Sequence, residues 1–243
     1  MTAIPAPPPV STSTPPPPRR HRATGPNPGV LATVSLTLTL ASLAATGLLT
    51  GMVYVSPFAS TGQVVRFYQD HGSAVAVSAM LLLGSAVPLG IYAATAYTRL
   101  LRLGVRVPGP SIGFAGGVLA SALLMLSAIT TWTAARPELG GNPATVRALA
   151  FLAFLTGGVG YVVGLGLLVA GIAVPVLVLR LVPRWLGWSG LAIAVLAEVA
   201  FLAMAVQPLQ VLLPLGRYGG LLWLLTVGFL LPTSRPSPTR DPR

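Results

Sequence analysis

The sequence predicts an all-α membrane protein, a bundle of six transmembrane helices. Three observations carry this. First, only 8% of the 243 residues are charged and 53% are hydrophobic. A soluble domain carries about 25% charged residues, so lipid must solvate much of this surface. Second, the apolar residues gather in six long runs joined by short connections. The runs are continuous rather than alternating, and in lipid only helices or closed barrels satisfy the backbone, so the runs read as helices. Third, the fifteen basic residues are all Arg, and they concentrate in every second connection and in the two tails.

The runs are residues 30–54, 73–97, 112–135, 150–178, 187–206 and 218–231. Most meet the requirement of about 20 residues for crossing the hydrocarbon. The sixth is short. Val211 to Leu215 can extend it, with Arg217 reaching out to the headgroups. The fourth is overlong, since residues 148–179 carry no charge. A kink or break near Gly157-Gly158, with Pro175 beyond it, would accommodate it.

Residues 1–29 hold ten prolines and Arg19, Arg20 and Arg22. Proline has no amide hydrogen and a fixed φ, so this region is expected to be a disordered, proline-rich cytoplasmic tail with a basic membrane anchor. Pro5-Ala6-Pro7-Pro8 fits a docking motif, but the solvated tail is the preferred reading. A secretory signal is disfavoured because the following apolar run exceeds an h-region and no A-x-A site closes it. Residues 30–232 then form the membrane domain, and residues 233–243 a short basic cytoplasmic tail.

With the N-terminus inside, Arg19, Arg20, Arg22, Arg99, Arg102, Arg106, Arg180, Arg184, Arg235, Arg240 and Arg243 lie on the cytoplasmic side. Arg66, Arg136, Arg147 and Arg217 lie outside. Eleven against four obeys the positive-inside rule and places both termini in the cytoplasm of a cell-membrane protein. In the first outer connection, Ser60-Thr61-Gly62-Gln63 has capping-box spacing. It predicts a short interfacial helix near residues 61–71, with Val64, Phe67 and Tyr68 on one face and Arg66 and Asp70 spaced as an ion pair. Asn142-Pro143 signals a second helix start.

Glu198 is the one acid inside a predicted span, near the midplane by its distance from Gly187. An ionised acid there costs about 2.5–3.5 kcal/mol on insertion scales, so it must be neutral, paired or wet. It is a candidate proton or ligand site, with Thr156 and Tyr161, and also Thr130 and Thr131, at overlapping depths. The Val159-Gly160-Tyr161 triplet lacks the re-entrant loop of a potassium filter. Gly160 and Gly164, and likewise Gly113 and Gly117, are spaced for close helix packing.

No catalytic, cofactor or metal constellation emerges. Cysteine is absent, which removes disulfides and thiol chemistry. Gly187-Trp188-Ser189-Gly190 matches the serine motif of rhomboid proteases, but a base must follow it, and His21 and His71 both precede it. The same shortage removes bis-histidine haem. The arginines flank apolar runs rather than interleave with aromatics, so no nucleic-acid partner is expected.

The stretch Leu179-Arg180-Leu181-Val182-Pro183-Arg184-Trp185-Leu186-Gly187-Trp188, with residues 84–95 and 218–232, resembles the corresponding parts of uncharacterised six-pass integral membrane proteins of high-GC bacteria. The resemblance covers most of residues 30–232 and implies fold and location, with no activity attached. Two functional classes follow. One is a non-enzymatic membrane component that packs, in lipid, against a second copy or another membrane protein. The alternative is a small-solute or proton-coupled transporter using Glu198 and the glycine-rich fourth helix. The first expects a dry bundle with an open small-residue groove. The second expects a polar cavity meeting Glu198.

Overall fold

The computed structural model describes residues 25–52 and 54–232. The expectations for the two tails fall mainly on residues outside that range. The elements are helices α1 (Pro28–Thr50), α2 (Thr61–Asp70), α3 (Gly72–Arg102), α4 (Gly109–Ala134), α5 (Pro143–Phe154), α6 (Tyr161–Val178), α7 (Arg184–Val199) and α8 (Leu212–Leu230). Among the described residues six helical stretches are long and apolar enough to cross a membrane: Pro28–Thr50, Gly72–Arg102, Gly109–Ala134, Pro143–Val178, Arg184–Met204 and Gln207–Leu230. The chain is thus a multi-pass membrane protein.

Local chemistry sets the ends. Asn27 accepts from the Gly29 amide at 2.9 Å and Pro28 supplies the first helical φ, so α1 starts inside the region read as tail. Gly51 ends α1 at φ 66°, a conformation that suits glycine. Asn142 caps α5 in the same way, accepting from Thr145 at 3.2 Å. Ser60 and Gln63 form the expected reciprocal capping box of α2. The expected Arg66–Asp70 pair does not form. Arg66 instead donates to the Gly62 carbonyl at 3.2 Å, within its own helix.

The spanning helices form a closed ring in the order α1, α3, α4, α6, α7, α8, and α8 returns to α1. The α4–α6 crossing is backbone on backbone. A Cβ on Gly113 would stand 3.2 Å from the Gly171 Cα, and one on Gly164 would stand 2.8 Å from the Ala120 nitrogen. The α1–α3 seam is polar instead. Ser35 donates to the Ser85 carbonyl at 2.9 Å, Thr39 to the Ser85 hydroxyl at 3.0 Å, and Ser42 meets Ser78 at 2.8 Å. Each such bond contributes about 0.6 kcal/mol in measured membrane helices. Farther round, Tyr92 donates to the Leu224 carbonyl and Trp223 to that of Leu186, tying α8 to α3 and α7. Lipid takes the outside, where Leu48 is 84% and Val178 72% exposed.

The fourth run is neither broken nor sharply divided. It is one 36-residue helical stretch, relieved by a π-helical turn over Leu155–Gly160. The fifth tightens into 3₁₀ geometry over Ala200–Met204. The sixth is lengthened by a 3₁₀ turn over Gln207–Val211. Helix α2 does more than lie on a membrane surface. Val64, Phe67 and Tyr68 are buried beneath it with Val75, Ala134 and Val146, so it caps one end of the bundle. That end is called the α2 face below.

Candidate functional site

A cavity of about 450 Å³ opens under the α2 face, within the range of small-molecule sites. Its walls come from the α2-side halves of α1, α3 and α4, from α5 and the π turn, and from α8. At the opposite end α1 and α8 meet closely. There a Cβ on Gly228 would stand 2.6 Å from the Gly29 nitrogen. Toward the α2 face the two helices line opposite parts of one space, α1 with Thr39, Ser42 and Thr46, α8 with Leu213, Pro214 and Arg217.

Arg217 is the charged group of this cavity. It lies 13 residues before the end of α8 at Leu230, roughly 20 Å along the axis, and so within the hydrocarbon. The expectation that it reaches out to the headgroups is corrected: its side chain turns inward. It donates to the Gly157 carbonyl in the π turn, and its guanidinium sits 4.7 Å from the centre of the Tyr161 ring. The π turn shifts the hydrogen-bond ladder by one residue, and such turns recur at functional sites. Here it presents a backbone acceptor to the one cation that lines the cavity among the described residues. Gln210, two helical turns earlier, also lines the cavity, and its Nε2 is buried without a partner.

The residues singled out from the sequence are dispersed. Glu198 is near the end of α7, 14 residues from Arg184. That is about 21 Å along the axis from the start of the helix. It faces α6, where a Cβ on Gly166 would stand 2.9 Å from its Oε1. That oxygen is buried and unpartnered, and Glu198 is not among the residues lining the cavity. Thr156 turns back to the Leu152 carbonyl at 2.7 Å, and Thr130 to that of Leu126 at 2.7 Å. Tyr161 is drawn to Arg217 rather than to Glu198, and its hydroxyl is buried without a partner. Gly113, Gly117, Gly160 and Gly164 all face neighbouring segments of the same chain, namely Gly171, Ala93, Leu123 and Ala120.

The roof of the cavity is a tyrosine pair. The Tyr54 and Tyr68 hydroxyls lie 2.6 Å apart. Burial raises the Tyr54 hydroxyl above the usual 10.0, partly offset by hydrogen bonds with Tyr68 and Thr131. Burial, and then the charge of an ionised Tyr54, holds Tyr68 well above it. The fold therefore favours the neutral phenols. Their contribution to stability is fully present below the ordinary phenol value, about pH 10, and is lost as pH rises from there through the folded values. Alkaline titration followed by tyrosinate absorbance should show two late-ionising phenols at this end, with α2 loosening as they titrate. If Tyr54→Phe and Tyr68→Phe leave the late part of the curve unchanged, this assignment is wrong.

No family model matches the chain, and no curated protein or solved structure matches it.

Proposed function

We propose that this chain is a non-enzymatic cell-membrane protein that receives a small ligand in the cavity under its α2 face. The single observation that carries the reading is the cavity itself. A 450 Å³ space inside a membrane bundle, lined by hydroxyls, an Arg and a Gln, serves no purpose in packing. It is supported by the use already made of the small-residue faces: the glycines that could have offered a groove to a second copy or another membrane protein are spent on the α4–α6 and α3–α4 contacts. Among the described residues no His, Asp or Glu lines the cavity, so none offers a general base for a chemical step there. The arginine asymmetry supports cytoplasmic termini with the α2 face outward, and the resemblance to six-pass membrane proteins of high-GC bacteria fits the same picture.

The native chain has no cysteine, so single cysteines report access directly. Thr46→Cys and Thr131→Cys, in the cavity wall, should react with membrane-impermeant methanethiosulfonates. Ser121→Cys should not, because Ser121 is buried between α3 and α4 and bonds to the Ala86 carbonyl at 2.7 Å. Wall cysteines as inert as Ser121→Cys would refute the cavity reading.

Glu198 has no part in this proposal, and a second prediction follows from its position. Its buried oxygen has no donor among the described residues. Removing such a group is neutral or stabilising when an apolar side chain of similar size takes its place. Glu198→Leu should thus show a melting temperature in detergent equal to or above the parent, and Glu198→Gln should be nearly silent. A clear drop for both would restore Glu198 as a paired, functional acid.

A further inference from the structure

The charge lining the cavity is one-sided among the described residues, Arg217 with no acid beside it. The cavity's serine and threonine hydroxyls are largely committed as donors. Thr39 shares its one proton between the Ser35 carbonyl and the Ser85 hydroxyl, Ser42 and Ser78 donate to one another's helices, Thr46 to the Ser42 carbonyl and Ser127 to that of Ala153. Arg217 is not committed in this way. A guanidinium carries five N–H donors and stays charged in proteins. Among the described residues one acceptor, the Gly157 carbonyl, takes one of them. None of its nitrogens is both buried and unpartnered, so the nitrogens without a partner keep some accessible surface. Gln210 also lines the cavity, and its unpartnered amide nitrogen, closed off from open space as it stands, needs only a side-chain turn to reach a ligand there. No acid lines it, and among the described residues the three acids, Asp70, Glu138 and Glu198, make no ion pair with Arg217.

A charge at this depth costs about 2.5–3.5 kcal/mol on insertion scales, unless it is paired or wet. The Tyr161 face offsets part of that. What the site still lacks is an acceptor with charge opposite to Arg217. We infer that Arg217 and Gln210 form a binding site for an oxyanion, a phosphate or carboxylate, carried by the ligand. This rests on the ligand-cavity reading above and names the chemistry of the occupant. The oxyanion comes either from a lipid headgroup or from a free anion. The walls suit a lipid. Leu82, Val162 and Leu213 are apolar, and the rim holds Leu43 and Pro214, both exposed at membrane depth, so the cavity is open to the acyl region as well as to water at Ser56.

The test uses the full chain with Thr46→Cys, reconstituted in phosphatidylcholine nanodiscs. It compares labelling by the anionic sulfonatoethyl and the cationic trimethylammonioethyl methanethiosulfonates, each normalised to its rate with a free thiol. The anionic reagent should be favoured by about tenfold, a difference of about 1.4 kcal/mol. Arg217→Gln should remove the preference, while Arg217→Lys, which keeps the charge, should keep it. Should Arg217→Gln fail to fold, the preference in the parent and in Arg217→Lys still decides the matter. Phosphatidic acid doped into the nanodisc should protect the cysteine from either reagent. Protection by inorganic phosphate alone would support the oxyanion site and assign it to a free anion. Labelling without charge preference would overturn the oxyanion site and leave the cavity standing. An absence of labelling would overturn the cavity reading itself.

Discussion

Gly171→Val should abolish the folded bundle. A Cβ at this position would lie 2.5 Å from the Gly109 carbonyl oxygen, and it would run into the backbone nitrogen and Cα of Gly113. Every obstructing atom is main chain, so no rotamer change relieves the clash, and α4 must move away from α6. The move would not stay local. The same crossing holds Gly116, where a Cβ would stand 2.8 Å from the Gly164 carbonyl oxygen. Overpacking of a core that can adjust costs about 1–3 kcal/mol. Here neither side can adjust, so the cost lies at or above the top of that range, against a total stability of about 5–15 kcal/mol for a typical domain. Size-exclusion chromatography in mild detergent should find aggregate in place of the monodisperse parent. The control is Gly47→Ala on α1, where a Cβ meets nothing within 4 Å and better helix propensity should raise stability by about 0.5–1 kcal/mol. If Gly171→Val elutes and melts like the parent, the close crossing of α4 and α6 is not the chain's structure.

That crossing was legible in the residues, and the cavity beside it was not. Glycine at four-residue spacing has one common use in a membrane helix, and Gly113, Gly117, Gly160 and Gly164 are each in such a contact, with other segments of this chain. Hydropathy likewise located all six spans, because the bilayer imposes length and polarity on each helix separately. It is blind to direction. Arg217 stands just before the sixth run as hydropathy bounds it, where snorkelling is the ordinary expectation, whereas the fold places it inside the Gln207–Leu230 span with the π turn and Tyr161 within its reach. Ser35, Thr39, Ser42 and Thr46 recur at helical spacing on one face of α1, and Ser78 and Ser85 are two turns apart on α3. Hydroxyls placed so regularly within a span predict a polar seam, and the cavity continues from it. Gln210 and Arg217 are seven residues apart, two turns along one side of the sixth span. Glu198 stands out in the sequence because acids in membranes are rare, yet rarity says nothing about which neighbours the fold supplies.

The second large effect is all-or-none and concerns the side on which the cavity opens. A reporter that is active only outside the cytoplasm should be active when inserted at Gly140, between α4 and α5, and silent at Gly104, between α3 and α4. The reason is not evenly spread along the chain. Of the connections and helix ends, one face holds Arg99, Arg102, Arg106, Arg180 and Arg184, and the α2 face holds Arg66, Arg136 and Arg147, with Arg217 withdrawn into the cavity. Those numbers are close. The decisive excess is in the tails, with Arg19, Arg20 and Arg22 before α1 and Arg235, Arg240 and Arg243 after α8. Charge within about 15–20 residues of a span end sets orientation, and all six meet that condition. Replacing the three N-terminal arginines with Gln should preserve the topology, because the remaining tail still favours the same side. Replacing all six should yield a mixed population, with both reporters partly active. Unchanged topology in that variant would mean that the connections alone orient the chain. A silent Gly140 reporter in the parent would invert the whole arrangement and turn the Arg217 cavity toward the cytoplasmic leaflet, so that any oxyanion bound there would have to come from the other side of the membrane.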